Sequence, residues 1–336
     1  MNTNRIVISS GCLHLRQPLI LHQGEWHLRK IFDAHCDVLY KMWFNDKISF
    51  KDSNMLHVNL DHLLASGGKV QCFAIFIPES VRIYDKFMVA LEMVDIFYER
   101  VLNENSNMKM ILEKNDILNL KDHEIGAMLT LEGCDAIDYD LIKLKTLYRL
   151  GVRSVGLTWN YANAVADGVR EKRNAGISNF GKKVIELNNQ FKIWTDVSHL
   201  GEKSFWDTIE IAKYPIASHS NAFSVFSHPR NLKDDQIKAI IKKNGVIGIT
   251  FVPYFLRENY HEASIKDILN HIEHICSLGG DRNIGFGSDF DGIDDTVIGL
   301  ENFRGYENLL NELEKHYSAD LISRICYQNF VDNFPK

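Results

Sequence analysis

The sequence has 336 residues, of which 45% are hydrophobic and 24% charged, a composition typical of globular proteins that excludes disordered and fibrous classes. Its 38 basic and 44 acidic residues leave a net charge of −6, which gives no electrostatic reason to expect nucleic acid or an anionic membrane as partner. Since no apolar run reaches the roughly 18 residues of a membrane helix, a small-molecule substrate is expected.

The first 30 residues interrupt their apolar stretches with histidine, arginine and glutamine, so they lack the continuous apolar region of a secretory signal. We predict that residues 1–30 are an extension without an assigned role and that residues 31–336 form a single domain. Six cysteines are scattered without a CxxC pair, a pattern typical of reduced, cytoplasmic proteins. They are Cys12, Cys36, Cys72, Cys134, Cys276 and Cys326.

Short apolar runs alternate along the chain with longer amphipathic segments, such as residues 83–104 and 264–280, as in repeated strand–helix units around a parallel sheet. No glycine-rich phosphate loop follows the first run, which argues against an open doubly wound sheet. Eight runs predict an α/β fold, a (β/α)8 barrel of the TIM type. They are "IFDAHCDV", "VQCFAIFIP", "IGAMLTLEG", "SVGLTWN", "WTDVSHL", "PIASHSN", "GVIGITFVP" and "NIGFGSDFDG".

The first run carries polar residues at alternate positions. With the period of two that a strand imposes, Asp33, His35 and Asp37 are predicted to share one face. Barrel active sites are built at the carboxyl ends of the strands, where His35 and Asp37 are expected. Five further candidate residues fall near the ends of later runs: Glu132, Trp159, His199, His219 and Asp289.

Aspartate, glutamate and histidine at one barrel mouth form a nitrogen and oxygen ligand set suited to Zn²⁺ or another divalent transition ion. Because the sequence has no GxSxG nucleophile motif, a metal-activated water is the simpler nucleophile. Each residue also has a structural interpretation. His199 could simply be a hydrogen-bonded structural residue of its strand, and Glu132 could simply cap the next segment. Asp289 or Asp291 could simply shape a loop.

Several of these motifs, in this order and spacing, resemble the membrane dipeptidase (renal dipeptidase) family of binuclear zinc peptidases, within the amidohydrolase-type barrels. The resemblance extends from Ile31 to about Phe334. The motifs that carry it are "DAHCD", "LTLEG", "GVRSVGLTW", "DVSHLG", "ASHSNAFSVFSHPRN", "LKDDQI", "GFGSDFDG" and "YQNFVDNF".

The resemblance implies a site for two zinc ions per chain. In that family pattern His35 and Asp37 would bind one zinc, and His199 and His219 would bind the other. Glu132 would bridge the two ions, in the place that a carboxylated lysine takes in many such barrels.

The resemblance also implies how the substrate would be bound and cleaved. Asp289 would be the acid/base residue, Arg230 would bind the free C-terminal carboxylate, and Tyr254 would help to hold the substrate. Trp159 stands where renal members have a substrate-binding histidine. We expect its bulk to narrow the pocket and favour small dipeptides, with Asn160 as a further contact to the developing oxygen.

The function that the sequence predicts is zinc-dependent hydrolysis of dipeptides, with D-residues among the candidate substrates. Two alternatives stay open: another metal amidohydrolase on this barrel, such as a cyclic amidase, deaminase or lactonase, and a catalytically inactive metal-binding barrel. Arg230 favours the dipeptidase, because a free carboxylate is that enzyme's requirement. A homodimer is expected. Renal members carry secretion and lipid-anchor signals that this sequence lacks, which also predicts a cytoplasmic location.

Overall fold

Eight parallel strands surround one axis in the computed structural model, which describes residues 29–336. With one extra strand, β3, they are β1 (Ile31–Asp33), β2 (Gly68–Phe76), β3 (Met108–Met110), β4 (Ile125–Glu132), β5 (Val152–Gly156), β6 (Trp194–Asp196), β7 (Pro215–Ile216), β8 (Ile247–Ile249) and β9 (Ile284–Phe286). Their order is β7-β6-β5-β4-β2-β1-β9-β8, and a parallel bridge between Ala217 and Ile247 completes the ring. The predicted (β/α)8 barrel is confirmed.

Helices follow the strands and cover the outside of the ring. They are α1 (Val38–Phe44), α2 (Leu60–Ala65), α3 (Lys86–Ile96), α4 (Lys114–Leu118), α5 (Leu141–Arg149), α6 (Asn179–Phe191), α7 (Glu202–Ile211), α8 (Asp234–Lys242), α9 (Ile265–Ser277), α10 (Tyr306–Leu313), α11 (Ala319–Ser323) and α12 (Asn329–Asp332). Wider π-helical turns extend α3 through Phe97–Asn103 and join α11 to α12 through Arg324–Gln328.

Helix α9 shows how the sequence sets an element of the outer layer. Ser264 and Asp267 form a capping box at its start, with the backbone N–H of Ser264 donating to Asp267 Oδ2 at 2.9 Å. Ile268, Ile272 and Ile275, spaced by three and four residues, are fully buried on the face toward the barrel. Cap and stripe together fix where this helix begins and which side it buries.

The first predicted strand is longer than the observed one. Strand β1 ends at Asp33, and α1 already begins at Val38. The prediction that Asp33, His35 and Asp37 share one strand face is therefore wrong. Asp33 instead accepts the backbone N–H and the hydroxyl of Ser288, at 2.8 and 2.6 Å, while His35 and Asp37 lie in the segment that leads into α1.

A second hydrophobic cluster closes the barrel at the end opposite to the polar residues. Phe330, next to the start of α12, stacks on Phe32 with ring centroids 4.7 Å apart, and Trp194 packs edge-on against both rings. A Cβ on Gly285 would lie 2.2 Å from the Phe330 ring, so β9 needs glycine there. Within residues 29–336, this cluster leaves the carboxyl end of the barrel for a site.

Residues 1–28 lie outside the described part of the chain, so the predicted extension over residues 1–30 and the domain boundary after it stay predictions. Within residues 29–336, every helix is too short or too polar to cross a bilayer.

Candidate active site

The predicted ligand residues converge at the carboxyl end of the barrel. Glu132 is the last residue of β4, and His35 follows β1 by two residues. His199, His219 and Asp289 each come three residues after their strands β6, β7 and β9. The expectation that active-site residues lie at the carboxyl ends of the strands therefore identified side chains that are close in space although up to 254 positions apart in the sequence.

The carboxylate of Glu132 lies between two pairs of side chains. Its Oε2 is 3.5 Å from His35 Nε2, which is 3.4 Å from Asp37 Oδ2. Its Oε1 is 3.0 Å from His199 Nε2 and 3.7 Å from His219 Nε2. We call His35 with Asp37 the first half-site and His199 with His219 the second half-site. One carboxylate thus joins two potential ion sites.

The unpaired polar atoms of this cluster fit a metal. His35 Nε2 and Asp37 Oδ1 are buried without a hydrogen-bond partner. Burying unpaired polar atoms costs free energy unless an ion binds to them. In the second half-site the Nε2 atoms of His199 and His219 face each other at 2.8 Å. Buried imidazole and carboxylate donors at these distances suit zinc or a similar transition ion.

Burial also sets the protonation of the second half-site. It lowers the pKa of His199 to about 3 and places the pKa of His219 well below its ordinary value. Both rings are therefore neutral near pH 7, which is the form that binds metal. Burial opposes the charge of Glu132, but the neighbouring His35 and His199 hold the pKa of that carboxyl below its usual value.

In the first half-site, carboxylates lie close to a buried imidazole. Burial acts to lower the pKa of His35, yet the charge of Glu132 and the contacts with Asp37 raise it well above the usual value. Burial, with the charge of Glu132, raises the pKa of Asp37 to about 7. Packing this much negative charge around one imidazole indicates a place for a cation.

Asp289 lies at the edge of the first half-site, with Oδ1 3.9 Å from His35 Nε2. Its backbone has a left-handed φ of 65°, a conformation that is uncommon for a residue other than glycine. A Cβ on Gly292 would lie 2.3 Å from Asp37 Oδ2 and 2.6 Å from Asp289 Oδ1. Glycine at that position lets both carboxylates approach the same point.

Arg230 supplies a buried cation beside the ligands. Its Nη2 donates to the backbone oxygen of His219 at 3.2 Å, its guanidinium lies 5.4 Å from the ring centre of Phe255, and its Nε has no hydrogen-bond partner. Burial lowers its pKa to about 10, so it stays charged at neutral pH. A cavity of about 370 Å³ opens against Arg230 and His199. A guanidinium with an unused donor is suited to a carboxylate.

The three remaining predicted residues have different surroundings. Trp159 lies at the site, with its ring centre 6.3 Å from His199 and 5.2 Å from Phe76. Asn160 places Oδ1 3.1 Å from His199 Nδ1, and its predicted contact with the substrate stays a prediction. Tyr254 is 38% exposed, and its hydroxyl donates to Asp295 on the rim.

Sequence reasoning missed Asp196, Ser218 and Gly292. Asp196 accepts the hydroxyl of Ser218, whose Oγ lies 2.7 Å from His219 Nδ1. Asp196 is the last residue of β6, so the strand-end rule that selected Glu132 could have found it. The contacts of Ser218 and Gly292 with site residues depend on loop conformation, and the sequence carries no comparable signal for them.

A comparison with known protein families identifies the family of this chain. The family model for membrane dipeptidases, peptidase family M19, matches residues 27–335. The chain belongs to the membrane dipeptidase family. Members are metallopeptidases, hydrolases that act on peptide bonds, so the family resemblance and the enzyme class predicted from the motifs are confirmed.

Individual relatives agree with this assignment. An uncharacterized dipeptidase of Schizosaccharomyces pombe is 28% identical over 314 residues, 86% of this chain and 76% of its own length. An uncharacterized protein of Klebsiella pneumoniae, encoded in the pqqA 5′ region, is 30% identical over 259 residues, 74% of this chain and 95% of its own length.

Solved structures of family members share the fold over their full length. The M19 metallopeptidase called dipeptidase AC superposes with a TM-score of 0.86 at 26% identity, covering 91% of this chain and 98% of its own. A metallopeptidase of Rhodobacter sphaeroides, liganded with a phosphinate mimic of the dipeptide L-Ala-D-Ala, has a TM-score of 0.86 at 25% identity with the same coverage.

Proposed function

We propose that this protein is a binuclear zinc dipeptidase that cleaves dipeptides with a free C-terminal carboxylate, D-residues included. The observation that carries the proposal is the position of Glu132, whose two carboxylate oxygens face two different pairs of ligand side chains. The likeness to the Rhodobacter sphaeroides enzyme, liganded with a mimic of L-Ala-D-Ala, supports a D-residue at the C-terminal position.

In this proposal each half-site would hold one zinc ion. His35 and Asp37 would hold the first, His199 and His219 would hold the second, and Glu132 would contribute to both. When bound, zinc polarises a carbonyl and lowers the pKa of a water molecule toward neutrality. The buried, unpaired atoms His35 Nε2 and Asp37 Oδ1 support this assignment.

The chain's own side chains then position the dipeptide and move its protons. Arg230 binds the C-terminal carboxylate through its guanidinium, whose Nε has no hydrogen-bond partner in the protein. Asp289 takes the proton of the attacking water on its carboxylate and delivers it to the nitrogen of the leaving amine. Trp159 forms the apolar wall beside His199. Tyr254 stays a proposed rim contact, and Asn160 acts through His199.

We further propose a reducing, cytoplasmic location and a homodimer. The location is supported by Cys36, Cys72 and Cys134, which are buried free thiols. The homodimer is supported by exposed apolar side chains on one segment of the surface, among them Tyr84 at 94% and Met88 at 58% exposure.

A dipeptide panel with and without metal tests the proposed function. We expect the purified enzyme to hydrolyse L-Ala-L-Ala and L-Ala-D-Ala, to lose activity after chelation and dialysis, and to regain it with added zinc. Ninhydrin detection of released alanine would measure the rates. Turnover of a cyclic amide or a lactone, with no cleavage of any dipeptide, would support the amidohydrolase alternative and contradict the proposal.

The bridging role of Glu132 predicts the metal content. Wild-type protein should carry two zinc ions per chain, whereas Glu132→Gln should carry one or none, because an amide offers only one neutral oxygen to two cations. Elemental analysis of dialysed protein measures this. Glu258→Gln, a change at an exposed glutamate, is the matched control and should keep both ions. Two ions in Glu132→Gln would rule out the bridge.

The bulk of Trp159 predicts substrate size. Replacing it with histidine should raise kcat/KM for bulky dipeptides relative to L-Ala-L-Ala by about tenfold or more, the scale on which pocket volume discriminates. Trp159→Phe separates bulk from the indole N–H, because it keeps a large ring and lacks the donor. If the ratio of bulky to small substrates is the same in all three enzymes, Trp159 does not set specificity.

A further inference from the structure

Three buried side chains form a chain of contacts that ends on the ring of His219. Asp196 and Ser218 are 6% and 2% exposed, and His219 is fully buried. Asp196 Oδ1 accepts the backbone N–H groups of Ser198 and Ser218 at 3.0 and 2.9 Å, and its Oδ2 accepts the hydroxyl of Ser218. Ser218 Oγ in turn lies 2.7 Å from His219 Nδ1.

The direction of these hydrogen bonds determines which nitrogen of His219 carries the proton. A serine hydroxyl has one hydrogen, and Ser218 gives it to Asp196, so the hydroxyl oxygen can only accept from Nδ1–H of His219. Nε2 of that ring then carries a lone pair. This atom faces Glu132 Oε1 at 3.7 Å and His199 Nε2 at 2.8 Å, inside the second half-site.

We propose that Asp196 and Ser218 are positioning residues that lock His219 as the Nδ1–H tautomer and fix its ring, so that the second half-site is formed before its ion arrives. The inference rests on the proposed zinc function of this half-site. Asp196 is anchored to the backbone of two different strand ends, so the contacts that aim His219 come from β6 as well as from its own strand β7. We call these contacts from Asp196 through Ser218 to His219 the relay. They reach the second half-site and not the first.

The relay predicts an unusual order of effects. Ser218→Ala removes the hydrogen-bond acceptor of His219 Nδ1–H and leaves both tautomers of the ring accessible. The affinity for one of the two zinc ions should therefore fall by about 10- to 100-fold, as for other groups that orient metal ligands. Asp196→Asn keeps the shape, but its amide can donate to Ser218 Oγ. The hydroxyl then turns its hydrogen toward His219 Nδ1 and leaves the ring proton on Nε2, the ligand atom. The isosteric variant should therefore bind that zinc more weakly than Ser218→Ala does.

Competition with a fluorescent zinc chelator at fixed pH, on the full-length protein, tests the relay. Wild type, Ser218→Ala, Asp196→Asn and Ser218→Thr are titrated, and melting of the metal-free forms reports folding. We expect Ser218→Ala and Asp196→Asn to bind one of the two zinc ions more weakly than wild type does, with the larger loss of affinity in Asp196→Asn. Ser218→Thr should bind zinc nearly as tightly as wild type because it keeps the hydroxyl. Ser204→Ala, which removes a buried hydroxyl bonded to the backbone oxygen of Asp167, is the matched control and should bind like wild type.

The outcomes separate the two proposals. If wild type binds two zinc ions and Asp196→Asn binds both with the same affinities as wild type, the proposed role of Asp196 is wrong and the binuclear site stands. If Asp196→Asn binds more tightly than Ser218→Ala, Asp196 acts only through shape, and the tautomer argument fails. If wild type itself takes up no zinc, the proposed function fails and the relay falls with it.

Discussion

Asp289→Asn enzyme is expected to retain its metal and to lose about 10²-fold or more in kcat, the range that a positioned acid/base group contributes. An asparagine has nearly the shape of aspartate but cannot take up a proton. Asp289 is placed for proton transfer because it borders the first half-site without being enclosed by it, with its side chain 15% exposed. The ligand set of Glu132 and the two half-sites remains intact in the variant.

Two measurements on the same preparation check this result. Elemental analysis should give the wild-type zinc content, and steady-state hydrolysis of L-Ala-D-Ala should show the loss in kcat with little change in KM. Asp294→Asn alters an exposed carboxylate five residues later and should be as active as wild type. Near-normal kcat in Asp289→Asn would remove the residue from the reaction, whereas loss of zinc would make it a ligand instead.

The hydrophobic pattern predicted the barrel because its strands are buried along nearly their whole length, whereas its helices bury one face, and both patterns are local in the sequence. All eight predicted runs overlap an observed strand, although β2 and β5 each begin two residues before the predicted run. Their ends were less predictable. The run from Ile31 to Val38 alternates throughout, yet the ladder stops at Asp33, and Cys36 adds only a single bridge to Phe290. A strand ends where it diverges from the neighbouring strands of the sheet, and the sequence of one run carries no information about that point.

The same limit applies to the site. The grouping of the candidate ligand residues was predictable because parallel strands place their carboxyl ends together. The position of a residue at a strand end and its side-chain type were enough to select it. The contact of Asn160 with His199 was not, because it joins the loop after β5 to the loop after β6. Asn160 was predicted only as a substrate contact, and the contact of its carbonyl oxygen with the His199 ring was missed. Which atom a loop residue faces depends on tertiary geometry that local patterns do not encode.

Arg230 carries the second large effect, because it discriminates a dipeptide from its C-terminal amide. The guanidinium is buried and charged, and its Nε lacks a partner in the protein. A substrate carboxylate would complete this pairing with charge-assisted hydrogen bonds in a site from which most water is excluded. A carboxamide carries no charge and turns an N–H toward one of the same donors, so it should bind poorly.

Wild-type enzyme should therefore cleave L-Ala-D-Ala with kcat/KM about 10²- to 10³-fold above that of its C-terminal amide, as expected for one buried charge pair. Arg230→Met keeps the length and volume of the side chain but has no donor. It should lower kcat/KM for the dipeptide by a similar factor while changing the rate on the amide little. Progress curves on both substrates, at zinc saturation, give the four values of this cycle.

The cycle separates recognition from general damage. Since Arg230 also donates to the backbone of His219, a variant that disturbs the second half-site would lose zinc and would slow both substrates together. Unchanged zinc content with a loss confined to the dipeptide assigns the carboxylate contact to Arg230. Arg304→Met, at an exposed arginine, should leave all four values unchanged. Equal turnover of the dipeptide and its amide by wild type would instead show that the enzyme does not read the C-terminal carboxylate, and would favour an amidase.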